Sequence, residues 1–321
     1  NVYKMPSYNF INNLYPVPNI NINNIFFIKN LFKKKYRCVI TNTRFVPICL
    51  MGSAISFIYK IPLIHIEHGS CHTVIDNWVI SKICKIFDHT LGTFLIKSAK
   101  INVGVSKAAV TFLLHLGATN PILIYNSIDS TQYSDLKIKK SNNCPLLIGY
   151  VGRLIYGKGI HDLISILPKL LGNIHLLIIG GGPYKKKLED SICKIGTSNI
   201  TFLGEINSEK IPEILQNIDI FVNPSYSEGL PTSVLEACAA GCAVIASNVG
   251  GTSEIIVDGY SGFLFQPGNK IELAEKINLL ITNDNIRNEM GINAREFVKK
   301  NFSREKSLIK WGSIIEKIND K

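Results

Sequence analysis

The chain has no Cys-x-x-Cys pair; its eight cysteines stand at irregular positions, 38, 49, 71, 84, 144, 193, 238 and 242. Several lie inside apolar segments, so they read as reduced, buried thiols rather than as a disulfide framework or a zinc site. Cys238 and Cys242 are four apart, but Gly241 is expected to end a helix between them and no histidine is near in sequence, which leaves a metal there unsupported. No apolar run approaches the roughly 18 residues needed to cross a bilayer. The nearest, Val46 to Tyr59, stops at Lys60 and reads as a buried helix. No signal peptide is visible, which together with the thiols points to the cytoplasm. There is no glycine before Gly52, no internal repeat, and no low-complexity tract beyond the asparagine and isoleucine of the first thirty residues or so.

What is present is a globular composition. A length of 321 residues with 46% hydrophobic content suggests two domains with sizeable cores. The net charge of +11 gives only weak support for an anionic surface as partner, because lysine is spread along the chain. The run KNLFKKKYR, Lys29 to Arg37, could lie on anionic lipid, although a solvated helix face is the commoner outcome. Strand-like runs alternate with helix-length segments: CVIT, PLIHIEH, INVGV and ILIYN, then LLIGYVG, IHLLIIGG, ITFLG, IDIFVNP, AVIAS and GFLFQ. That order predicts parallel sheets covered by helices on both faces. The polar stretch Ser130 to Pro145 interrupts it and is the expected linker.

The segment NPSYSEGLPTSVLEACAAGCAVIASNVGG carries the densest information. Glu228 is expected in a loop before a short helix, N-capped by Thr232 or Ser233 and closed by Gly241, with Glu236 about a turn inside it. A carboxylate beside a helix N-terminus that attracts anions suits the grip of a sugar attached to a phosphate. The pattern resembles the Glu-x7-Glu signature of retaining GT-B glycosyltransferases of family 4. The resemblance runs from about Val39 to Trp311 and is densest from Gly149 to Gly268.

This resemblance implies an α/β GT-B fold: two Rossmann-like, doubly wound parallel-sheet domains facing a cleft. The expected division is 1–138 for the acceptor domain, 139–303 for the donor domain, and 304–321 for a helix containing Trp311 that crosses back to the first domain. It also implies roles. Glu228 faces the donor sugar, and Glu236 accepts from the ribose hydroxyls. Arg153 and Lys158, the latter in Gly157-Lys158-Gly159 after the strand LLIGYVG, bind the diphosphate; two cations there can stabilise the leaving group without a metal. His68, in HIEHGS at a strand's carboxyl end, lies over the donor sugar. Gly152, Gly181, Leu203, Gly229, Leu230, Pro231 and Thr232 line the nucleotide and sugar, and Asn126 corresponds to a turn near the domain junction, with Ser127 where the family has glycine.

Gly180-Gly181-Gly182 lacks the spacing of a dinucleotide fingerprint, since Lys185 stands where its third glycine would fall, so NAD is disfavoured. Metal-dependent glycosyltransferases of the other main fold use Asp-x-Asp, which this chain lacks, and a His65/His68/His72 metal cluster is disfavoured because strand and turn would splay the rings. No metal and no cofactor beyond a nucleotide-sugar substrate is expected, with UDP favoured a little over GDP. Family members open with a strand, a glycine-rich loop and a helix ahead of the element CVITNTRF; that unit is missing or unrecognisable here, so the acceptor domain is expected to be incomplete.

The expected activity is metal-independent transfer of a hexose-type sugar to a hydroxyl of a glycan or lipid-linked acceptor, as in polysaccharide or glycolipid synthesis. The expected place is the cytoplasm, with peripheral association at the inner face of an anionic membrane as an option and no nucleic-acid partner. The alternatives are a sugar-nucleotide binding module, which would bind without turnover, and another enzyme of the fold such as an epimerase.

Overall fold

A computed structural model of the chain describes residues 7–10, 15–18, 22–31, 36–44, 47–133 and 145–319. The expected domain boundary at 138/139, most of the expected linker and residues 32–35 of the basic run lie outside these. The chain divides into two compact units: Asn1–Thr73, Asn77–Ile124 and Lys310–Lys321 make one, Val74–Asp76 and Tyr125–Ile309 the other.

The N-terminal unit opens with a hairpin of β1 (Ser7–Phe10) and β2 (Tyr15–Pro18), then α1 (Ile22–Leu31). Its main sheet has four parallel strands in chain order, β3 (Val39–Asn42), β4 (Leu63–Glu67), β5 (Ile101–Gly104) and β6 (Ile122–Leu123). Between them run α2 (Pro47–Tyr59), α3 (Trp78–Phe87), α4 (Thr93–Ser98) and α5 (Lys107–His115). Neighbouring residues of β4 face opposite cores: Leu63 packs with Cys49 and Leu95, whereas Ile64 packs with Val103, Ile124, Ile314 and Ile318. The last two belong to α13 (Arg304–Asn319), whose final turns cover this sheet with Trp311 alongside.

The C-terminal unit is built on a six-stranded parallel sheet in the order β12-β11-β10-β7-β8-β9. The strands are β7 (Leu146–Val151), β8 (Ile174–Ile179), β9 (Ile200–Gly204), β10 (Ile220–Asn223), β11 (Ala243–Ser247) and β12 (Phe263–Phe265). Connecting helices include α6 (Ile160–Ile166), α7 (Lys185–Ile195), α8 (Ile211–Leu215), α9 (Thr232–Ala240), α10 (Thr252–Ile255), α11 (Lys270–Thr282) and α12 (Asp284–Asn301). Ile148, Ile178, Val222 and Ile245 share a dry core with Leu163, Leu188 and Ile277. The chain winds outward from β7 to β9, returns, and winds the other way from β10. Loops after β7 and β10 therefore diverge at the switch point, where an open α/β sheet leaves a crevice for a ligand.

Four expectations need correction. The segment around α2 is not a buried helix, because Phe57 is 85% and Ile58 59% exposed, while Cys49 and Ile55 face inward. ILIYN supplies only the two-residue strand β6. The thiols are not all buried: Cys193 is exposed, and Cys38 and Cys71 are partly so. Helix α9 starts at Thr232 with Pro231 in the cap position and no side chain capping it; the ring already fixes the φ that entry to the first turn needs.

Candidate functional site

At the switch point the loops after β7 and β10 touch. Gly159 has φ +64°, and a Cβ there would stand 1.9 Å from the Pro224 carbonyl oxygen, so only glycine lets them meet. Tyr226 N–H donates to the Gly157 carbonyl at 2.9 Å, closing the contact. The result brings Lys158 Nζ to 2.7 Å from Glu228 Oε1. Glu228 is 8% exposed, and the same oxygen accepts from Ser225 Oγ at 2.7 Å and from Asn223 Nδ2 at 3.4 Å. Three donors around one oxygen hold the carboxylate in a single orientation. Two residues assigned to different parts of a donor are thus paired with each other.

Arg153 is exposed directly beyond β7, and its carbonyl accepts from the buried Tyr150 hydroxyl at 3.0 Å. Gly152 donates to Ile179 at 3.0 Å, and its own carbonyl would meet a Cβ on Gly180 at 2.0 Å, so the β7 and β8 loops are packed backbone on backbone. Gly181 lies against the Glu205 side chain. Leu203, on β9, is 40% exposed. Beyond β10, the Gly229 carbonyl accepts from Gly251 at 2.8 Å, the Leu230 carbonyl accepts from Asn126 Nδ2 at 3.2 Å, and Pro231 leads into α9 with Thr232 exposed as its first residue.

Glu236, the fifth residue of α9, makes no hydrogen bond or ion pair among the described residues. Burial pushes its carboxyl up from the ordinary 4.5 to about 7, so near neutrality it is poised between acid and carboxylate.

In the N-terminal unit, His68 follows β4 with Nε2 3.3 Å from Asn42 Oδ1. The surrounding protein lowers its pKa by desolvation, opposed by the charge of Glu67. Beneath it is a buried charged group that no sequence signal announced. Arg44, 1% exposed, reaches Glu67 Oε1 at 2.8 Å and Asp88 Oδ1 at 2.7 Å. Burial alone would raise the Glu67 pKa, but His65, Arg44 and the Gly69 amide outweigh it and hold the carboxyl at about 2. His65 is committed to this network, with Nδ1 3.1 Å from Thr41 Oγ1 and Nε2 3.5 Å from Glu67 Oε2.

The holders of Glu228, Asn223 and Ser225, were also missed, although both stand in the NPSYSE run. A second polar group behind them joins Tyr226, whose hydroxyl donates to Asp162 Oδ2 at 2.6 Å, to Lys270, 3.1 Å from Asp162 Oδ1.

The family described as glycosyl transferases group 1 matches residues 133–297. An uncharacterised glycosyltransferase of Methanocaldococcus jannaschii is 33% identical over 331 residues, covering 99% of this chain and 84% of the relative. The capsular polysaccharide biosynthesis glycosyltransferase CapM of Staphylococcus aureus is 29% identical over 214 residues, 65% of this chain and 56% of that protein. Among solved structures, Anabaena HepE in complex with UDP-glucose superposes with a TM-score of 0.77 at 23% identity, covering 91% of this chain and 81% of that one. Sucrose-phosphate synthase from Thermosynechococcus elongatus gives 0.78 at 20% identity, with 94% and 81% covered. These two likenesses establish the GT-B fold.

Proposed function

Because the chain belongs to the glycosyl transferases group 1 family, we propose that it is a retaining, metal-independent glycosyltransferase that moves a hexose-type sugar from a nucleotide donor to a hydroxyl of a glycan or lipid-linked acceptor. The observation that carries the reading is the Lys158–Glu228 pair at the switch point of the six-stranded sheet. A cation and a rigidly held carboxylate at that crevice supply what a sugar diphosphate needs: charge compensation for the departing diphosphate and an acceptor for sugar hydroxyls.

In this reading a donor diphosphate takes Lys158 over from Glu228 and adds Arg153, while the freed Glu228 oxygen accepts from the sugar. Glu236 accepts from the ribose hydroxyls. Gly152 and Gly181 allow the backbone to approach the nucleotide, Leu203 flanks the base, and Gly229, Leu230, Pro231 and Thr232 line the sugar and phosphate side with Asn126 bracing their loop. His68 acts in transfer. The acceptor hydroxyl attacks the anomeric carbon from the face the leaving group departs from, and a diphosphate oxygen takes its proton, so the configuration is kept. UDP is favoured as nucleotide because HepE was crystallised with UDP-glucose.

Peripheral membrane contact at the inner face of the cytoplasmic membrane belongs to the same proposal. Trp78, Ile83, Ile86 and Phe94 are 71%, 59%, 64% and 62% exposed on and near α3, and Lys82 and Lys85 stand among them; apolar side chains interleaved with lysine suit an anionic bilayer surface. No helix among the described residues is long and apolar enough to cross a membrane.

The test is a thermal-shift panel of UDP-, GDP-, ADP- and CMP-sugars, followed by NMR of the product formed with the best ligand and simple sugar acceptors. Retained anomeric configuration is expected. Inversion overturns the mechanism, and stabilisation by a nucleotide sugar with no product from any acceptor favours the binding module.

A further inference from the structure

We propose that the N-terminal unit carries a three-histidine site for a borderline divalent cation such as Zn2+, formed by His72, His89 and His115. One ring nitrogen from each lies within 4.8 Å of the others. His72 stands in the turn after β4, His89 in the π-helical turn Asp88–Gly92 between α3 and α4, and His115 is the last residue of α5. Three separate elements therefore deliver imidazoles to one point, an arrangement that sequence spacing does not reveal.

The π turn is the device that makes it. A single wider turn inside a helical stretch rotates the residues that follow it. Here it turns Asp88 fully inward, at 0% exposure, and its neighbour His89 outward. Asp88 then works behind the site. Arg44 Nε donates to Asp88 Oδ1 at 2.7 Å, which fixes the heading of the carboxylate, and Asp88 Oδ2 lies 2.5 Å from His72 Nδ1. The hydrogen must sit on His72 Nδ1, so a neutral His72 presents its Nε2 lone pair away from Asp88. A carboxylate that fixes the tautomer and heading of an imidazole is the usual support of a metal-bound histidine.

The other two rings are poised rather than packed away. Ring planes of His72 and His89 are inclined by 56°, His72 and His115 by 77°, and His89 and His115 by 76°, so none stacks on another. Phe112 meets His72 edge-on at 5.2 Å and lies beside His115 at 6.0 Å, giving the inner side an apolar wall. His89 and His115 are exposed, which leaves a path for the ion and freedom for small rotations. Nitrogens about 2.1 Å from tetrahedral zinc are about 3.4 Å apart, so closure asks for roughly an ångström of movement from two surface side chains. Three histidines leave the fourth position to water or an exogenous ligand. This proposal does not rest on the transferase reading; every residue in it lies in the N-terminal unit.

The test uses Co2+ as a spectroscopic stand-in for Zn2+, added to the chelator-stripped 321-residue chain. One equivalent should bind with the visible ligand-field bands of a low-coordinate nitrogen and oxygen site, and Zn2+ should displace it. His89→Ala and His115→Ala, both surface changes, should each weaken Co2+ binding at least tenfold, and the double variant should abolish it while melting of the metal-free protein stays the same. Binding undiminished in the double variant overturns the site. So does an intense thiolate-to-cobalt charge-transfer band, which would put the ion on the cysteines, and so does the absence of stoichiometric binding to the unaltered chain.

Discussion

Glu236 gives the sharpest quantitative expectation, because burial pushes its carboxyl up to about 7 with no hydrogen-bond or ion-pair partner among the described residues. A raised carboxyl pKa means that the folded chain keeps a proton that the unfolded chain releases. Its contribution to stability is present below the ordinary 4.5 and is lost as pH rises through about 7. The displacement corresponds to about 3 kcal/mol between the two protonation states. In the proposed function ribose hydroxyls would donate to this carboxylate, so nucleotide-sugar binding should return the pKa toward its ordinary value and release a proton. Affinity should then follow the ionised fraction: about one-eleventh at pH 6 and nine-tenths at pH 8, a roughly tenfold tightening. A nucleotide sugar is a suitable probe because its phosphates have no proton to lose in this range. Isothermal titration in buffers of different ionisation enthalpy should show close to one proton released at pH 6 and little at pH 8, and Glu236→Gln should flatten both affinity and proton release. Affinity that is level from pH 6 to 8, or a slope that survives Glu236→Gln, would refute the assignment of Glu236 to the ribose.

Glu228→Gln should lower turnover roughly a hundredfold or more through loss of transition-state positioning, without weakening nucleotide binding, since Lys158 is released from its pair; unchanged turnover would remove Glu228 from the reacting centre. Transfer should persist in excess EDTA, and Arg153→Ala or Lys158→Ala should each raise the barrier by about 2 to 4 kcal/mol, whereas activity lost to chelation and restored by Mn2+ would contradict metal-independent transfer. Arg44→Met should destabilise the chain by about 3 to 5 kcal/mol by leaving buried carboxylates uncompensated. Because Glu67 is depressed from 4.5 to about 2, its stabilisation is present above 4.5 and is lost as pH falls toward 2, so the melting-temperature gap between the two proteins should narrow on acidification. Vesicles containing anionic lipid should retain the chain in flotation, with retention cut at least tenfold in a Trp78→Ala, Ile83→Ala double variant and by added salt; equal retention would release α3 from that role.

The fold was legible because its signals are local and repeated. Short apolar runs separated by helix-length segments specify parallel strands wherever both faces of a sheet are covered, and β7 through β12 follow that pattern almost residue for residue. Misreadings came where one face was left uncovered: α2 is apolar enough to suggest full burial, yet Phe57 and Ile58 face outward. Arg44 was invisible for a different reason. A lone arginine between threonine and phenylalanine reads as a surface residue, and only a partner 44 positions away, together with Glu67, lets its charge be buried. The histidines at 72, 89 and 115 share that property, since their meeting depends on a π turn that no spacing rule anticipates.

The candidate site stands between these cases. Glu228, Lys158 and Arg153 could be picked out because their motifs resemble those of a known family, and that resemblance assigned them to separate parts of a ligand. Three-dimensional contact adds that Lys158 and Glu228 neutralise each other when no ligand intervenes. In the proposed function a diphosphate would therefore compete with a carboxylate for the same ammonium, which would trim nucleotide affinity. Once it succeeds in that reading, the Glu228 oxygen that Lys158 held keeps Ser225 and Asn223 as donors and can turn toward the incoming sugar. On that proposal the pair would couple arrival of the phosphate to readiness of the carboxylate. A donor fragment without the diphosphate should for that reason gain little from Glu228, and the loss in turnover for Glu228→Gln should depend on the sugar, while the loss for Lys158→Ala should not.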